Sequence, residues 1–363
     1  MKVIVTAGGT GGHIYPALAI INKIIEKEPN SEILYIGTKD RMESEIVPSR
    51  GIPYLGIDMK GLNRKNPFKN FSVIKNTIKN VKFLKKEIKK FNPDIVIGVA
   101  GYVTAPVIYT AHKLGYKTFI HEQNSIPGVS NKFLSRYADK IGISLEASKK
   151  FFPNKKVVFT GNPRSEEVYN AQMISKDELG LNDNKKLVLI VMGSLGSTTM
   201  NKKLKETLPL FKNKEYEVLF VTGKGYYDEY KNINCSSNVK IVPYLDNMAS
   251  VLKNTDLIVS RAGASSIAEI TALGIPSILI PSPYVTHNHQ YKNAKVLEDN
   301  HACVIIEEAK FDSNNLVNEI DKILIDKDKM LSLKVNASKL GIKNSSTKIY
   351  NLLRNMIDGE EDE

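Results

Sequence analysis

The same opening occurs twice in 363 residues: a β-branched run, a glycine-rich turn, then an amphipathic stretch. In the first copy residues 3–5 lead into Gly8-Gly9-Thr10-Gly11-Gly12-His13, after which Ile14, Leu18, Ile21 and Ile25 recur at helical spacing. In the second, residues 187–191 lead into Gly193-Ser194-Leu195-Gly196-Ser197. Such a turn carries the chain from the end of a strand to a helix N-terminus. Glycine there removes the Cβ where a ligand or another backbone must come close.

Strand-like runs at 33–36, 95–99, 118–121 and 157–160 follow the first opening. Runs at 218–221, 240–242, 257–259, 278–280 and 303–305 follow the second, with helical segments at 248–254, 264–273 and 291–298. Alternation of this kind demands parallel sheets covered on both faces. The pattern pauses once, at Gly161-Asn162-Pro163-Arg164, a turn signal between the two copies. The expected fold class is therefore α/β: two doubly wound Rossmann-like domains, 1–162 and 163–340, facing a central cleft. Residues 336–356 read as helical, and the segment 341–363 is expected to carry a helix that packs back on the first domain. The acidic run 358–363 predicts no ordered structure.

A hydrophobic content of 42% and a charged content of 25% are those of a soluble globular protein. Cys235 and Cys303 lie in or beside apolar stretches and form no metal spacing, which predicts buried, reduced thiols and a cytosolic setting. The chain opens directly on a strand, so no secretory leader is expected. The longest apolar stretch, 95–109, is interrupted by Gly98, Gly101 and Pro106 and is too short to span a bilayer.

The net charge of +12 is concentrated: residues 60–90 hold 11 basic side chains and one acid, Glu87. Within that stretch Phe71, Ile74, Ile78, Val81, Ile88 and Phe91 recur at helical spacing, with Lys75, Lys79, Lys82, Lys86 and Lys89 on other faces. A basic amphipathic helix over 71–91 is either the solvated side of a surface helix or a docking face for an anionic membrane. Nucleic acid is disfavoured, because arginine is scarce and no aromatics are spaced as stacking platforms.

The glycine turns fit no common nucleotide signature. Gly9 and Gly11 match two positions of the dinucleotide fingerprint, but the third falls on Ile14; no Gly-Lys-Ser/Thr follows either. A packed turn would account for the glycines but not for His13, which favours a phosphate or sugar site. In the second half, Arg261-Ala262-Gly263-Ala264-Ser265-Ser266 follows a strand and opens a helix, leaving room for a diphosphate on exposed N–H groups. Glu269, about one turn on, suits the two hydroxyls of a ribose, or is simply an acid favoured by the helix dipole. Residues 281–290, including His287, His289 and Gln290, read as a binding loop; no acid or Cys accompanies the histidines, so no metal is expected. In the first half, His121-Glu122-Gln123-Asn124 leaves a strand end with four polar side chains, read as contacts to a hydroxyl-rich ligand, and Tyr102 follows a small-residue turn.

Taken in order, residues 8–13, 98–102, 121–124, 161–164, 193–197, 261–269 and 288–290, with Gly37-Thr38-Lys39-Asp40-Arg41-Met42-Glu43, resemble the MurG family over nearly the whole chain. That resemblance implies a glycosyltransferase-B fold and transfer of GlcNAc from UDP-GlcNAc to the 4-hydroxyl of the MurNAc-pentapeptide of lipid I, giving lipid II in peptidoglycan synthesis. It implies a peripheral enzyme on the cytoplasmic face of the bacterial membrane, with no obligate metal or other cofactor. By the same resemblance residues 261–269, with Gly263, Ser266 and Leu245, would hold the uridine, Glu269 taking the ribose and Ser194 the diphosphate. Gln290, Ala264, Ser265 and Asn124 would meet GlcNAc, and Arg164 would reach the nucleotide. Thr10, Gly11, Gly12 and His13 would face the acceptor diphosphate. Leu195 and His289 stand where many or some members carry Gln.

The implied chemistry is a direct inverting displacement, with His13 as general base and Glu122 as its rival. Three alternatives share the cleft: a UDP-GlcNAc 2-epimerase, a transferase acting on diacylglycerol, and a non-catalytic sugar-nucleotide-binding subunit. An epimerase needs no lipid surface, so the basic helix argues against it.

Overall fold

The computed structural model describes residues 1–59, 61, 70–193, 196–233 and 235–360; of residues 70–74 and 286 it describes the backbone alone. The chain divides into two compact units, residues 1–164 with 344–363, and residues 165–343. The division falls just past the Gly161-Asn162-Pro163 turn.

The first unit holds seven parallel strands: β1 (Lys2–Thr6), β2 (Glu32–Thr38), β3 (Tyr54–Ile57), β4 (Ile95–Gly98), β5 (Lys117–Glu122), β6 (Lys140–Ile143) and β7 (Val157–Phe159). Their order is β3-β2-β1-β4-β5-β6-β7. The second unit holds β8 (Leu187–Val191), β9 (Glu217–Val221), β10 (Val239–Val242), β11 (Leu257–Ser260), β12 (Ser277–Leu279) and β13 (Val304–Ile305), ordered β10-β9-β8-β11-β12-β13. Each sheet reverses its winding once, between β1 and β4 and between β8 and β11. At such a switch point the loops beyond the strand ends diverge and leave a crevice. The glycine turns after β1 and β8 flank those two points.

Strand alternation builds the core on both faces. Val3 and Val5 face the first helix, Gly11–Lys27, whereas Ile4 faces the opposite layer with Leu84, Ile88 and Val107. Two strands, β3 and β6, carry no clear sequence signal. In each an interior glycine, Gly56 or Gly142, splits the strand, so no unbroken apolar run stands out.

The helical pattern over 336–356 is two helices, Lys327–Leu340 and Ser345–Asp358. They separate at Gly341, where any Cβ would run into the backbone of Thr271. The second of them packs on the first sheet through Ile349, Leu352, Leu353 and Met356. Tyr350 donates its hydroxyl to Glu28 at 2.9 Å and Ser346 donates to Pro163 O at 2.8 Å. Asp358, expected to lie in an unstructured tail, ends this helix and pairs with Arg354 at 3.0 Å; residues 361–363 lie outside the described residues.

The basic helix runs Asn70–Phe91. It buries Leu84 and Ile88 completely, and Asn80 reaches Asp58 O at 2.9 Å. Burial of the two aliphatic chains contributes roughly 1.5–3 kcal/mol each. Ile78, expected on the apolar face, is instead 66% exposed, and Phe83 is 42% exposed. Both lie among Lys75, Lys79, Lys82, Lys85, Lys86, Lys89 and Lys90 along the helix. The side chains of Phe71 and Ile74 lie outside the described residues. Of the cysteines, Cys303 is buried, which pushes its thiol up to about 12, whereas Cys235 is only half-buried.

Candidate active site

The first glycine turn is held from two sides. Glu43, wholly buried, accepts from Gly9 N at 3.1 Å, Thr38 N at 3.2 Å and Thr38 Oγ1 at 2.7 Å. A Cβ on Gly8 would collide with that carboxylate. From the other side Gly101, at φ +97°, lets the turn after β4 close on Gly8; its Cβ would stand 2.5 Å from Gly8 O. Tyr54 donates to Thr38 O, and burial, followed by the nearby Glu43 and Asp40 carboxylates, pushes its phenol above the usual range.

The turn delivers His13 to the first turn of the helix. A carbonyl oxygen only accepts, so the 3.0 Å contact between His13 Nδ1 and Gly8 O places the proton on Nδ1. In the neutral ring the lone pair then lies on Nε2. Thr10 is the N-cap residue but its side chain caps nothing, and no acid lies in the first turn. The helix thus presents its positive end at Gly11 and Gly12 with no carboxylate in its own first turn. The Tyr102 ring lies 4.0 Å from where a Cβ on Gly9 would stand, and its buried hydroxyl finds no partner among the described residues. Arg164 stacks over the Tyr15 ring at 5.8 Å, on the same helix as His13.

The cluster at the end of β5 differs from its expected role. His121, Glu122 and Gln123 are at most 1% exposed and bond mainly to the protein itself. Glu122 accepts from Asn124 N at 2.9 Å, Asn124 Nδ2 at 3.3 Å, Gly128 N at 3.1 Å and Asn131 Nδ2 at 2.9 Å. These bonds make Glu122 the organiser of the loop 123–128, with Asn124 left half-buried at its start. His121 donates Nε2–H to Gly161 O at 2.9 Å, and its Nδ1 accepts from Gln123 Nε2 at 3.0 Å.

Burial holds the His121 pKa down at about 4, against 6.5 for the free side chain. The unfolded chain takes this proton near 6.5 and the folded chain only near 4. The stability contributed is complete above 6.5 and is lost as the pH falls towards 4, by up to about 3 kcal/mol. Urea unfolding at about pH 7 and pH 4.5 is expected to register most of that loss, and His121→Gln to reduce it. An equal acid loss in the variant would refute the assignment.

In the second unit the helix Ala264–Leu273 begins at Gly263, its N-cap, directly after β11. No side chain caps it, and Ser265 Oγ is buried with no partner among the described residues. Gly263 with Ala264, Ser265 and Ser266 thus opens the helix with no side-chain cap on its first N–H groups. Glu269 lies in the second turn, half-buried, so it is not a first-turn acid placed to offset the dipole. Leu245, after β10, packs partly on the core. Gln290, after β12, accepts from Ser282 N at 2.8 Å through Oε1. The turn before it holds His287 and Asn288 at φ +57° and +51°. Ser194 and Leu195 lie outside the described residues.

Arg261, expected at the uridine, is buried. Its Nη1 pairs with Glu308 at 2.6 Å and donates to Ile280 O at 3.0 Å, and its Nη2 donates to Ser197 Oγ at 2.8 Å. Ser197 caps the helix Thr198–Thr207, and Thr199 Oγ1 donates to Glu308 at 2.6 Å. The pair thereby ties the turn after β8 to the turn after β11. Sequence reasoning assigns no role to Glu43 or Glu308. Glu43 stands in a charged run after β2, and Glu308 in a polar one after β13, each resembling solvated surface.

Residues 3–143 match the glycosyltransferase family 28 N-terminal domain and residues 187–351 its C-terminal domain. The chain is 47% identical over 362 residues to the UDP-N-acetylglucosamine–N-acetylmuramyl-(pentapeptide) pyrophosphoryl-undecaprenol N-acetylglucosamine transferase of Bacillus cytotoxicus, covering 98% of this chain and 100% of that one. The crystal structure of Acinetobacter baumannii MurG matches with a TM-score of 0.78 at 26% identity, over 98% and 99% of the two chains. The chain belongs to the MurG family. Its two parallel sheets are those of the glycosyltransferase-B fold. A UDP-GlcNAc 2-epimerase from Neisseria meningitidis also matches, with a TM-score of 0.66 at 16% identity over 98% and 100% of the chains. That is a likeness of fold alone. Among the described residues no group of three or more His, Cys, Asp or Glu is placed to hold a metal ion, and no helix is long and apolar enough to cross a membrane.

Proposed function

We propose that this chain transfers GlcNAc from UDP-GlcNAc to the 4-hydroxyl of the MurNAc-pentapeptide of lipid I, giving lipid II, with His13 as general base. The observation that carries the mechanism is the commitment of Nδ1–H to Gly8 O, which leaves Nε2 as the proton acceptor. The hydroxyl oxygen attacks C1 of GlcNAc as its proton passes to Nε2. The C1–O bond to UDP breaks, and its electron pair leaves with the diphosphate. The first turn at Gly263 to Ser266 would hold that diphosphate on N–H dipoles, with Ser194 contributing from the turn after β8. Glu269 would take the ribose and Leu245 the uracil; Gln290, Asn124 and the small side chains of Ala264 and Ser265 would meet the sugar. On the acceptor side Thr10, Gly11, Gly12 and Tyr102 would bind the lipid diphosphate, with Arg164 beside them. Four hydrogen bonds to the Glu122 carboxylate favour His13 over it as the base.

The lysine side of the helix Asn70–Phe91, with Ile78 and Phe83 exposed upon it, fits peripheral docking on an anionic bilayer. Each lysine near such a surface contributes on the order of 1 kcal/mol. One experiment tests both readings: UDP release from UDP-GlcNAc with EDTA present, with and without a lipid I analogue, in detergent and in anionic vesicles. Release is expected to require the acceptor and to survive EDTA. Changing Lys75, Lys79, Lys82 and Lys86 to Ser is expected to depress turnover on vesicles while sparing it in detergent. Release of UDP without acceptor, together with an epimerised sugar, would sink the transferase reading. Equal losses of turnover in both media would sink the docking reading.

A further inference from the structure

We propose that Glu43 is a positioning residue that acts on His13 through the peptide unit joining Gly8 and Gly9. The two ends of that one unit are bonded in opposite directions. Its N–H, on Gly9, donates to Glu43 Oε2 at 3.1 Å; its C=O, on Gly8, accepts from His13 Nδ1 at 3.0 Å. In a trans peptide these groups point apart, and no cis bond occurs among the described residues, so the unit bridges a carboxylate to an imidazole. The charge on one side polarises the amide and strengthens its carbonyl as an acceptor on the other. The result resembles a direct carboxylate–histidine pair with one amide inserted. It fixes the Nδ1–H tautomer, aims the ring, and favours the imidazolium that forms when Nε2 takes a proton.

Three features keep the relay in one arrangement. Glu43 is wholly buried, and its Oε1 is occupied by Thr38 N and Oγ1, which leaves Oε2 for Gly9. Gly8 has no Cβ to displace the carboxylate. Gly101 has none to crowd the Gly8 oxygen, where a methyl would stand at 2.5 Å. Glu43 touches no reacting atom on this account; it acts only through His13. The catalytic part of the proposal rests on the reading of His13 as the base.

The test is the tautomer and the turnover of the full chain. With 15N-labelled histidine, the wild-type His13 is expected to carry its proton on Nδ1, and Gly9 to show a downfield amide proton. Glu43→Gln keeps the shape and removes the charge. It is expected to move His13 towards a tautomer mixture and to lower kcat about tenfold, a fraction of what a general base contributes. KM for UDP-GlcNAc should stay within about twofold, because the second unit is untouched. A wild-type His13 protonated on Nε2 would overturn the proposal with no variant needed. So would a Glu43→Gln protein whose tautomer and kcat both match the wild type. A tautomer shift in Glu43→Gln alongside full activity in His13→Ala would uphold the relay and remove His13 as the base.

Discussion

His13→Ala is expected to lower kcat by roughly 10²–10⁴ while binding UDP-GlcNAc about as tightly as the wild type. The separation of the two effects follows from where the groups sit. His13 belongs to the helix Gly11–Lys27 of the first unit, whereas Gly263 to Ser266, Glu269 and Gln290 belong to the second. On the proposed mechanism, loss of the imidazole removes the acceptor for the hydroxyl proton and leaves the second unit unchanged. Titration calorimetry with UDP-GlcNAc, beside steady-state kinetics with a lipid I analogue, reads the two separately. A loss confined to acceptor affinity, with kcat within a few-fold, would return the base to another group or to water. Glu122 would need at least one of its four hydrogen bonds broken before it could serve.

Arg261→Leu is expected to destabilise the second unit by about 3–5 kcal/mol, because it leaves Glu308 buried without its cation. The side chains of the pair are 7% and 6% exposed, so solvent does little to screen the loss. Ser197 loses its 2.8 Å tether in the same change, and the turn after β8 its fixed position against the turn after β11. Affinity for UDP-GlcNAc should fall with it. Urea unfolding reads the first effect and calorimetry the second. Arg261→Leu combined with Glu308→Leu should recover much of the stability, since no charge is then left unpaired, but not the affinity, since Ser197 stays untethered. A stability loss under about 1 kcal/mol in the single variant would mean that water reaches the carboxylate.

Most of the strands are legible in the amino-acid sequence, and the reason is local. Strands of a parallel sheet buried on both faces are largely apolar, as β8 is throughout and β9 and β11 are apart from Glu217 and Ser260 at their ends. The turns after β1, β8 and β11 stand out because small residues are needed wherever backbone meets ligand or backbone. The short strands β3 and β6 give no such signal, since an interior glycine in each breaks the apolar run into pieces that look like loop. The segment Asn70–Phe91 is legible as a helix but its buried face is not: Ile78 and Leu84 are equally apolar, and only the neighbouring layer decides which is covered.

The polar residues divide in the same way. His13 stands out because an imidazole directly after four glycines is unusual in a packed turn, and the structure bonds its Nδ1 to Gly8 O. His121, Glu122 and Gln123 mislead, because a strand end with consecutive polar side chains looks the same whether it bonds a sugar or its own loop. Glu43 and Glu308 stay hidden because their partners, Gly9 and Arg261, lie 34 and 47 residues away along the chain. Apolar runs and glycine placement are enough to specify two parallel wound sheets, though not β3 and β6, and the glycine turns after β1 and β8. They do not specify which carboxylates hold those turns, which lysine-rich face stays in solvent or which ring nitrogen of His13 is left open. Those features depend on side chains and backbone N–H groups far apart along the chain, which meet only when the strands pair and the layers pack.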